Sequence, residues 1–163
     1  MSKSKIVAMM ALIVFAVGIL LVGNAVAGEK FKCREVTYVT KFEQINVGDE
    51  KGHVIALMEG KGIQSNKEGK TFCEGWVHWE AGRLDINPKA GVNGNGYLKL
   101  TDKSGDNIYM RWDIKPPSPN EWTFLKGTGK FEGIQGKGTF SSTHTSDPSL
   151  FYVDWEGEVE LLR

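Results

Sequence analysis

The residues of this chain best suited to acid/base chemistry lie in the segment 72–80. Successive side chains of a β-strand point to opposite faces of its sheet, and one face of this segment carries Glu74, Trp76, His78 and Glu80. Two carboxyl groups and an imidazole beside a tryptophan could transfer protons if that face is enclosed, because burial raises the pKa of a carboxyl group. The opposite face is the more apolar one and comprises Cys73, Gly75, Val77 and Trp79. The pattern therefore favours an outward-facing position for the titratable side chains.

Aromatic side chains supply the second set of candidate site residues. The chain has five Trp, four Tyr and eight Phe, which give rigid apolar surfaces typical of ligand pockets and equally suited to a filled core. Arg111 shares a strand face with Asp113, so it could orient a polar ligand group from inside or form a surface ion pair, and the surface pair is favoured. The predicted ligand-binding residues are Trp76, Tyr109, Arg111, Trp112 and Trp155.

Several common functional centres have no counterpart in the sequence. No two of the three histidines lie two or four positions apart, no serine is framed by G-x-S-x-G, and no cysteine motif for redox or haem chemistry occurs. We therefore predict no metal site and no cofactor. The 20 basic and 20 acidic residues balance to a net charge of zero, which argues against a nucleic acid as partner.

The first 27 residues have the pattern of a secretory signal peptide. Lys3 and Lys5 precede an apolar stretch over 6–23, and Ala-Val-Ala at 25–27 forms a small-x-small cleavage site. We expect cleavage there, which leaves residues 28–163 as one periplasmic or secreted domain without a stable membrane span. The alternative is an uncut anchor in the inner membrane, because about 18 apolar residues approach the roughly 20 that span a bilayer.

The two cysteines of the chain, Cys33 and Cys73, both follow the predicted leader. In an oxidising compartment, an even pair of cysteines in a small domain predicts a disulfide rather than a metal or catalytic site. The alternative is a pair of buried free thiols.

Alternation of apolar and polar residues, rich in β-branched and aromatic side chains, predicts eight strands separated by turn residues. They span 31–39, 53–60, 72–80, 96–101, 107–113, 122–127, 135–143 and 151–161. Eight short antiparallel strands in a single domain predict an all-β closed barrel, because closure removes exposed strand edges. A two-sheet sandwich is the alternative.

The segment 96–140 resembles part of the allene oxide cyclase-like barrel family, in its bacterial exported members. The resemblance lies in two strands joined by the turn TDKSGD at 101–106, followed by GTGKFEGIQGKGTF at 127–140. It implies an eight-stranded antiparallel barrel with an apolar lumen, often assembled into trimers. The glycine-rich run is expected to form a tight structural turn between two strands, with Phe131 closing one barrel end. The glycines concerned are Gly127, Gly129, Gly133, Gly136 and Gly138.

The expected function is non-catalytic binding of a small apolar or amphipathic molecule in the lumen of an exported barrel. One alternative is a cyclase or isomerase that uses Glu74, His78 and Glu80 as acid/base groups. Its basis includes the resemblance, because the plant enzymes of that superfamily close a ring on a fatty-acid epoxide. The other alternative is a structural or stress protein of the cell envelope that acts as a homo-oligomer.

Overall fold

In the computed structural model, which describes residues 28–161, eight antiparallel strands form one sheet that closes into a barrel. The strands are β1 (Glu29–Asn46), β2 (Val54–Asn66), β3 (Trp76–Asn87), β4 (Gly91–Thr101), β5 (Asn107–Ile114), β6 (Asn120–Gly127), β7 (Ile134–His144) and β8 (Leu150–Leu161). Each strand pairs with its neighbours in sequence, and β8 pairs with β1. The predicted all-β closed barrel is confirmed.

The predicted leader, residues 1–27, lies outside the described residues. Within residues 28–161, no helix is both long and apolar enough to cross a membrane.

All eight predicted strands are present, but their bounds differ in the first half of the chain. β1 continues to Asn46 past a shift in register between Val39 and Lys41, and β3 begins at Trp76 instead of 72. The reason for the late start is local, because Cys73 and Gly75 have φ angles of 60° and 68°, which an extended strand does not adopt. Residues 72–75 therefore form a turn that leads into β3.

One end of the barrel is filled by aromatic side chains and a disulfide. The predicted disulfide between Cys33 and Cys73 is confirmed. It packs beside neighbouring aromatic rings whose centroids lie 4.7 to 6.5 Å apart. These rings belong to Phe31, Phe72, Trp76, Trp122, Phe124 and Phe131. We call this half of the barrel the packed end.

The glycine-rich run connects β6 to β7 at the packed end. A short 3-10 turn, Gly129–Phe131, buries the Phe131 ring; Gly129 begins this turn and Gly133 follows it, and both have positive φ angles. The Phe124 ring lies so close to Gly136 that a Cβ there would be 2.6 Å from it. A Cβ would meet similarly close neighbours at two further positions, Gly127 and Gly138.

At the opposite end, His53 joins the loop between β1 and β2 to the end of β3. Its Nδ1 lies 2.6 Å from Asp49 Oδ1 and its Nε2 lies 2.8 Å from Asp85 Oδ1. The hydrogen bond to Asp85, followed by the one to Asp49, raises the pKa of His53. A protonated imidazole therefore holds this loop against the barrel rim.

Replacing both Cys33 and Cys73 with Ala should destabilise the protein by about 3 to 4 kcal/mol, because the disulfide spans 40 positions of sequence and restricts the unfolded chain. Urea unfolding of the variant and of the wild-type protein would measure the loss. Wild-type protein unfolded with a reducing agent serves as the control and should match the variant. An unchanged urea midpoint would contradict the prediction.

The His53→Gln variant should remove a pH-dependent part of the stability. Because the folded pKa of His53 is raised, its stabilising effect is complete below the unfolded value of 6.5 and is lost as the pH rises through the folded value. The free energy of unfolding, measured across this range, should fall more steeply in the wild-type protein than in the variant. The exposed His144, replaced with Gln, is the matched control, and parallel curves for wild type and His53→Gln would refute the assignment.

Candidate functional site

The barrel is open at the end opposite the disulfide, where it forms a cup with a volume of about 790 Å³. Its wall is mainly apolar because the side chains that point inward from the ends of several strands are apolar there. They include Leu84, Ile86, Ile114, Phe140, Phe151 and Val153. The cup lies within the usual volume range of small-molecule sites, about 300 to 1,000 Å³.

Glu80 supplies a carboxyl group at the floor of this apolar cup. It lies deeper along β3 than Leu84 and Ile86, and it is 4% exposed. Its Oε1 atom is buried and has no hydrogen-bond partner among the described residues. Trp112 and Trp155 also line the cup.

Beneath the floor lies a buried polar cluster, which we call the floor cluster. It consists of Glu35, Thr37, Gln64, His78, Glu80 and Trp155. Thr37 Oγ1 donates to Glu35 Oε1 at 2.8 Å. Gln64 Nε2 and Trp155 Nε1 donate to Glu35 Oε2 at 2.9 and 3.2 Å. Three donors from three strands therefore hold the Glu35 carboxylate.

The same network assigns the proton on neutral His78. The single hydrogen of the Thr37 hydroxyl is donated to Glu35, so the 3.1 Å contact between Thr37 Oγ1 and His78 Nε2 requires Nε2–H as the donor. The other ring nitrogen, Nδ1, is then an acceptor, and it has no partner within residues 28–161.

Burial governs the charges of the two β3 side chains in the floor cluster. It raises the pKa of Glu80 well above its ordinary value, and the negative charge of nearby Glu35 raises it further. Burial also lowers the pKa of His78, although the charge of Glu35 opposes that shift. Both shifts favour the uncharged forms of Glu80 and His78.

Two glycines of β2 make room for the floor cluster. Gly60 and Gly62 pair with Glu80 and His78 across the sheet, so their inward sides face the same space. A Cβ at Gly60 would lie 3.0 Å from Glu80 Oε1, and one at Gly62 would lie 2.7 Å from His78 Cε1. Because these side chains are missing, the β3 groups extend across β2 towards β1.

The favoured prediction that the His78 and Glu80 face points outward is wrong. Both residues are buried, whereas Val77 and Trp79 on the other face are 53% and 49% exposed. Comparing the number of apolar residues on the two faces gave the wrong orientation, because the lumen at this level is filled by hydrogen-bonded polar side chains rather than by apolar ones. Glu74 does not join it, since it lies in the turn before β3, is exposed, and accepts a hydrogen bond from the Asn66 backbone.

The predicted ligand-binding residues lie in three separate places. Trp112 and Trp155 line the cup. Trp76 is buried at the packed end, where its ring meets those of Phe72 and Phe131. The remaining two, Tyr109 and Arg111, lie on the outer face of β5. The Arg111 guanidinium binds both carboxyl oxygens of Asp113 at 2.9 Å, so the favoured surface ion pair is present.

The sequence analysis missed three members of the floor cluster: Glu35, Thr37 and Gln64. A signal existed for two of them, because Glu35 and Thr37 alternate with Cys33 on the predicted strand 31–39 and must share its inward face. Gln64 carried no such signal, since the predicted second strand stopped at residue 60.

Glu35, His78 and Glu80 could in principle converge on a metal ion, since their ligand atoms lie within 4.8 Å of one another. Carboxylates and imidazole are ordinary ligands of divalent transition metals. Here, however, Thr37 bridges Glu35 and His78, and both oxygens of Glu35 already accept hydrogen bonds. The geometry therefore favours a cluster that carries protons over a metal centre.

Comparisons with known proteins support the fold and go no further. No family model and no curated protein matches the chain. A pterocarpan synthase dirigent protein matches 86% of this chain and 92% of its own, with a TM-score of 0.51 at 11% identity. A pyocyanin demethylase matches 79% of this chain and 99% of its own, with a TM-score of 0.46 at 13% identity. The dirigent protein has the same broad barrel fold, while membership of the allene oxide cyclase-like family stays a prediction.

The Glu80→Gln variant should lose part of the pH dependence of stability. The pKa of Glu80 is raised in the folded protein, whereas in the unfolded chain it has its ordinary value of 4.5. Above pH 4.5 the unfolded chain therefore releases a proton that the folded state retains. The free energy of unfolding consequently falls as the pH rises from 4.5 towards the pKa of the folded state. Urea unfolding between about pH 5 and pH 8 should show a smaller fall for the variant than for the wild type. Glu74→Gln is the matched control, and equal falls in wild type and Glu80→Gln would exclude a raised pKa.

Proposed function

We propose that this chain is an exported barrel protein that binds one small apolar or amphipathic molecule in its cup. The observation that carries the proposal is the cup itself, an open space of about 790 Å³ with an apolar wall and one carboxyl group at its floor. An apolar cavity with a few placed polar groups is the usual form of a small-molecule site.

Binding would come mainly from burial of apolar surface. Each square ångström of apolar ligand surface removed from water contributes about 25 cal/mol. The flat rings of Trp112 and Trp155 offer contact surface that loses little conformational entropy when a ligand is bound. The polar end of an amphipathic ligand could lie either at the floor beside Glu80 or in the water at the mouth of the cup.

Export to the periplasm or beyond rests on the signal-like residues 1–27 and agrees with the disulfide, which is typical of oxidising compartments. Association into a homo-oligomer, such as the trimer that the resemblance implies, would cover apolar side chains exposed on the outer face of β2 and β3. These include Leu57, Ile63, Val77 and Trp79.

A second candidate function, isomerase or cyclase chemistry on the bound molecule, is supported by one observation. Glu80 reaches the cup and lies beside His78 and Glu35, so a proton donor would meet a ligand at the floor with proton acceptors close beneath it. Glu74 has no part in this version, because it is exposed in the turn before β3.

The Leu84→Trp variant should lose ligand uptake, because the larger side chain fills part of the cup. The neutral fluorescent probe N-phenylnaphthylamine should bind the wild-type protein saturably at one site per chain. We expect its affinity to fall by about tenfold or more in the variant, as the probe loses buried apolar contact.

Leu57→Trp is the matched control, since Leu57 is exposed on the outer face of β2. It should bind the probe like the wild type. Absence of saturable uptake by wild-type protein, or equal uptake by Leu84→Trp, would contradict the proposed binding function. Native mass spectrometry of protein purified from its own host would then show whether a resident molecule occupies the cup.

A further inference from the structure

We propose that the cup selects ligands with a neutral hydrogen-bond acceptor, such as a ketone or ester carbonyl, to which the Glu80 carboxyl group donates a hydrogen bond at the floor. This inference rests on the proposed binding function and specifies the chemical class of the ligand.

The first argument is the division of hydrogen bonds between two neighbouring carboxyl groups. Glu35 receives donors on both oxygens, whereas Glu80 Oε1 has no partner within residues 28–161. The oxygens of the two buried carboxyl groups lie within 4.8 Å of one another, and repulsion between two negative charges at that distance favours retention of a proton. The donors stabilise the negative charge on Glu35, which leaves the proton with Glu80.

The second argument is that no cationic side chain of residues 28–161 reaches the floor to replace this proton. The titratable groups of the floor cluster are Glu35 from β1, with His78 and Glu80 from β3. Higher in the cup, Lys41 and His144 belong to its lining but are exposed, and Lys41 pairs with Glu43 at 3.3 Å. The surroundings of Glu80 therefore favour its protonated form, which is a neutral O–H donor at the floor of the cup.

A second buried donor without a partner among the described residues belongs to the lining of the same cup. The Trp112 indole lines the cup, and its Nε1 is buried without a partner among the described residues. Its ring covers Gly82, the next inward position of β3 after Glu80, since a Cβ there would be 2.2 Å from the ring.

The same arrangement acts against an anionic head group at the floor. A ligand carboxylate placed there would face the fixed negative charge of Glu35 in a medium where charges are weakly screened. Its oxygen would accept a stronger hydrogen bond from Glu80 than a ketone does, but that gain is opposed by the cost of burying a second negative charge beside Glu35. Selectivity at the floor therefore comes from an available donor combined with a nearby negative charge.

The test uses three probes of one shape: acetylnaphthalene with a neutral carbonyl, ethylnaphthalene with no polar group, and naphthoate with a carboxylate. At neutral pH, wild-type protein should bind the ketone about tenfold more tightly than the hydrocarbon, because an unsatisfied buried donor gains a partner. Naphthoate should bind more weakly than the ketone. The infrared C=O stretch of the bound ketone should lie at lower frequency than in an apolar solvent.

Three variants separate the donor role from simple packing. Glu80→Gln keeps an N–H donor of the same shape and should retain the ketone preference and the infrared shift. Glu80→Leu removes the donor, so both should disappear while the hydrocarbon still binds, which also shows that the variant is folded. Glu74→Gln, the matched exposed carboxyl group, should behave like the wild type.

Two results would overturn the inference: an unchanged ketone preference and C=O frequency in Glu80→Leu, or tighter binding of naphthoate than of the ketone that depends on Glu80. Both leave the binding function intact. If none of the three probes binds wild-type protein, the proposed binding function fails, and the inference fails with it.

Discussion

The interior of this barrel is organised around one buried carboxylate, that of Glu35. Its donors come from β1, β2 and β8, so the side-chain hydrogen bonds tie together three consecutive strands at the seam where the barrel closes. A buried charge is tolerated only when it is hydrogen-bonded, and here every donor is itself held by a strand. Burial, with the same charge as a second cause, raises the pKa of another carboxyl group, Glu80, and so favours its protonated form.

The two halves of the barrel follow from where large side chains point inward. At the packed end, aromatic rings from β1, β3 and β6 and the disulfide fill the lumen, and the glycine-rich run lets its backbone approach them closely. At the other end, the inward side chains line a wall and leave a space of about 790 Å³ between them. The floor cluster marks the level at which the filled half changes to the open half.

The sequence was sufficient for the fold, since alternation located all eight strands and the cysteine pair predicted the disulfide. It was insufficient for the site, because the alternating patterns of several strands must be combined before it is clear which polar side chains meet inside a barrel. His78 and Glu80 were singled out as titratable site candidates but placed on the wrong face, because Trp79 and Val77 are more apolar. Their partners lie on other strands. The glycines at positions 60 and 62, which leave space for the His78 and Glu80 side chains, carry no functional group that would single them out in the sequence.

The arrangement also explains how a chain without recognisable catalytic motifs can have titratable groups with shifted pKa values in its interior. A carboxyl group can be made a neutral donor by its surroundings alone, through burial and one nearby charge, without a metal or an activated nucleophile. Such a site has no short sequence signature, because its members lie on separate strands and act through space.

The protonation of Glu80 in the folded protein is the claim that can be tested most directly, by infrared difference spectroscopy of wild-type protein against Glu80→Gln at neutral pH. The account predicts a C=O band of a protonated carboxylic acid in the wild type that is missing in the variant and that shifts when a carbonyl ligand enters the cup. A wild-type spectrum with only carboxylate bands would contradict it.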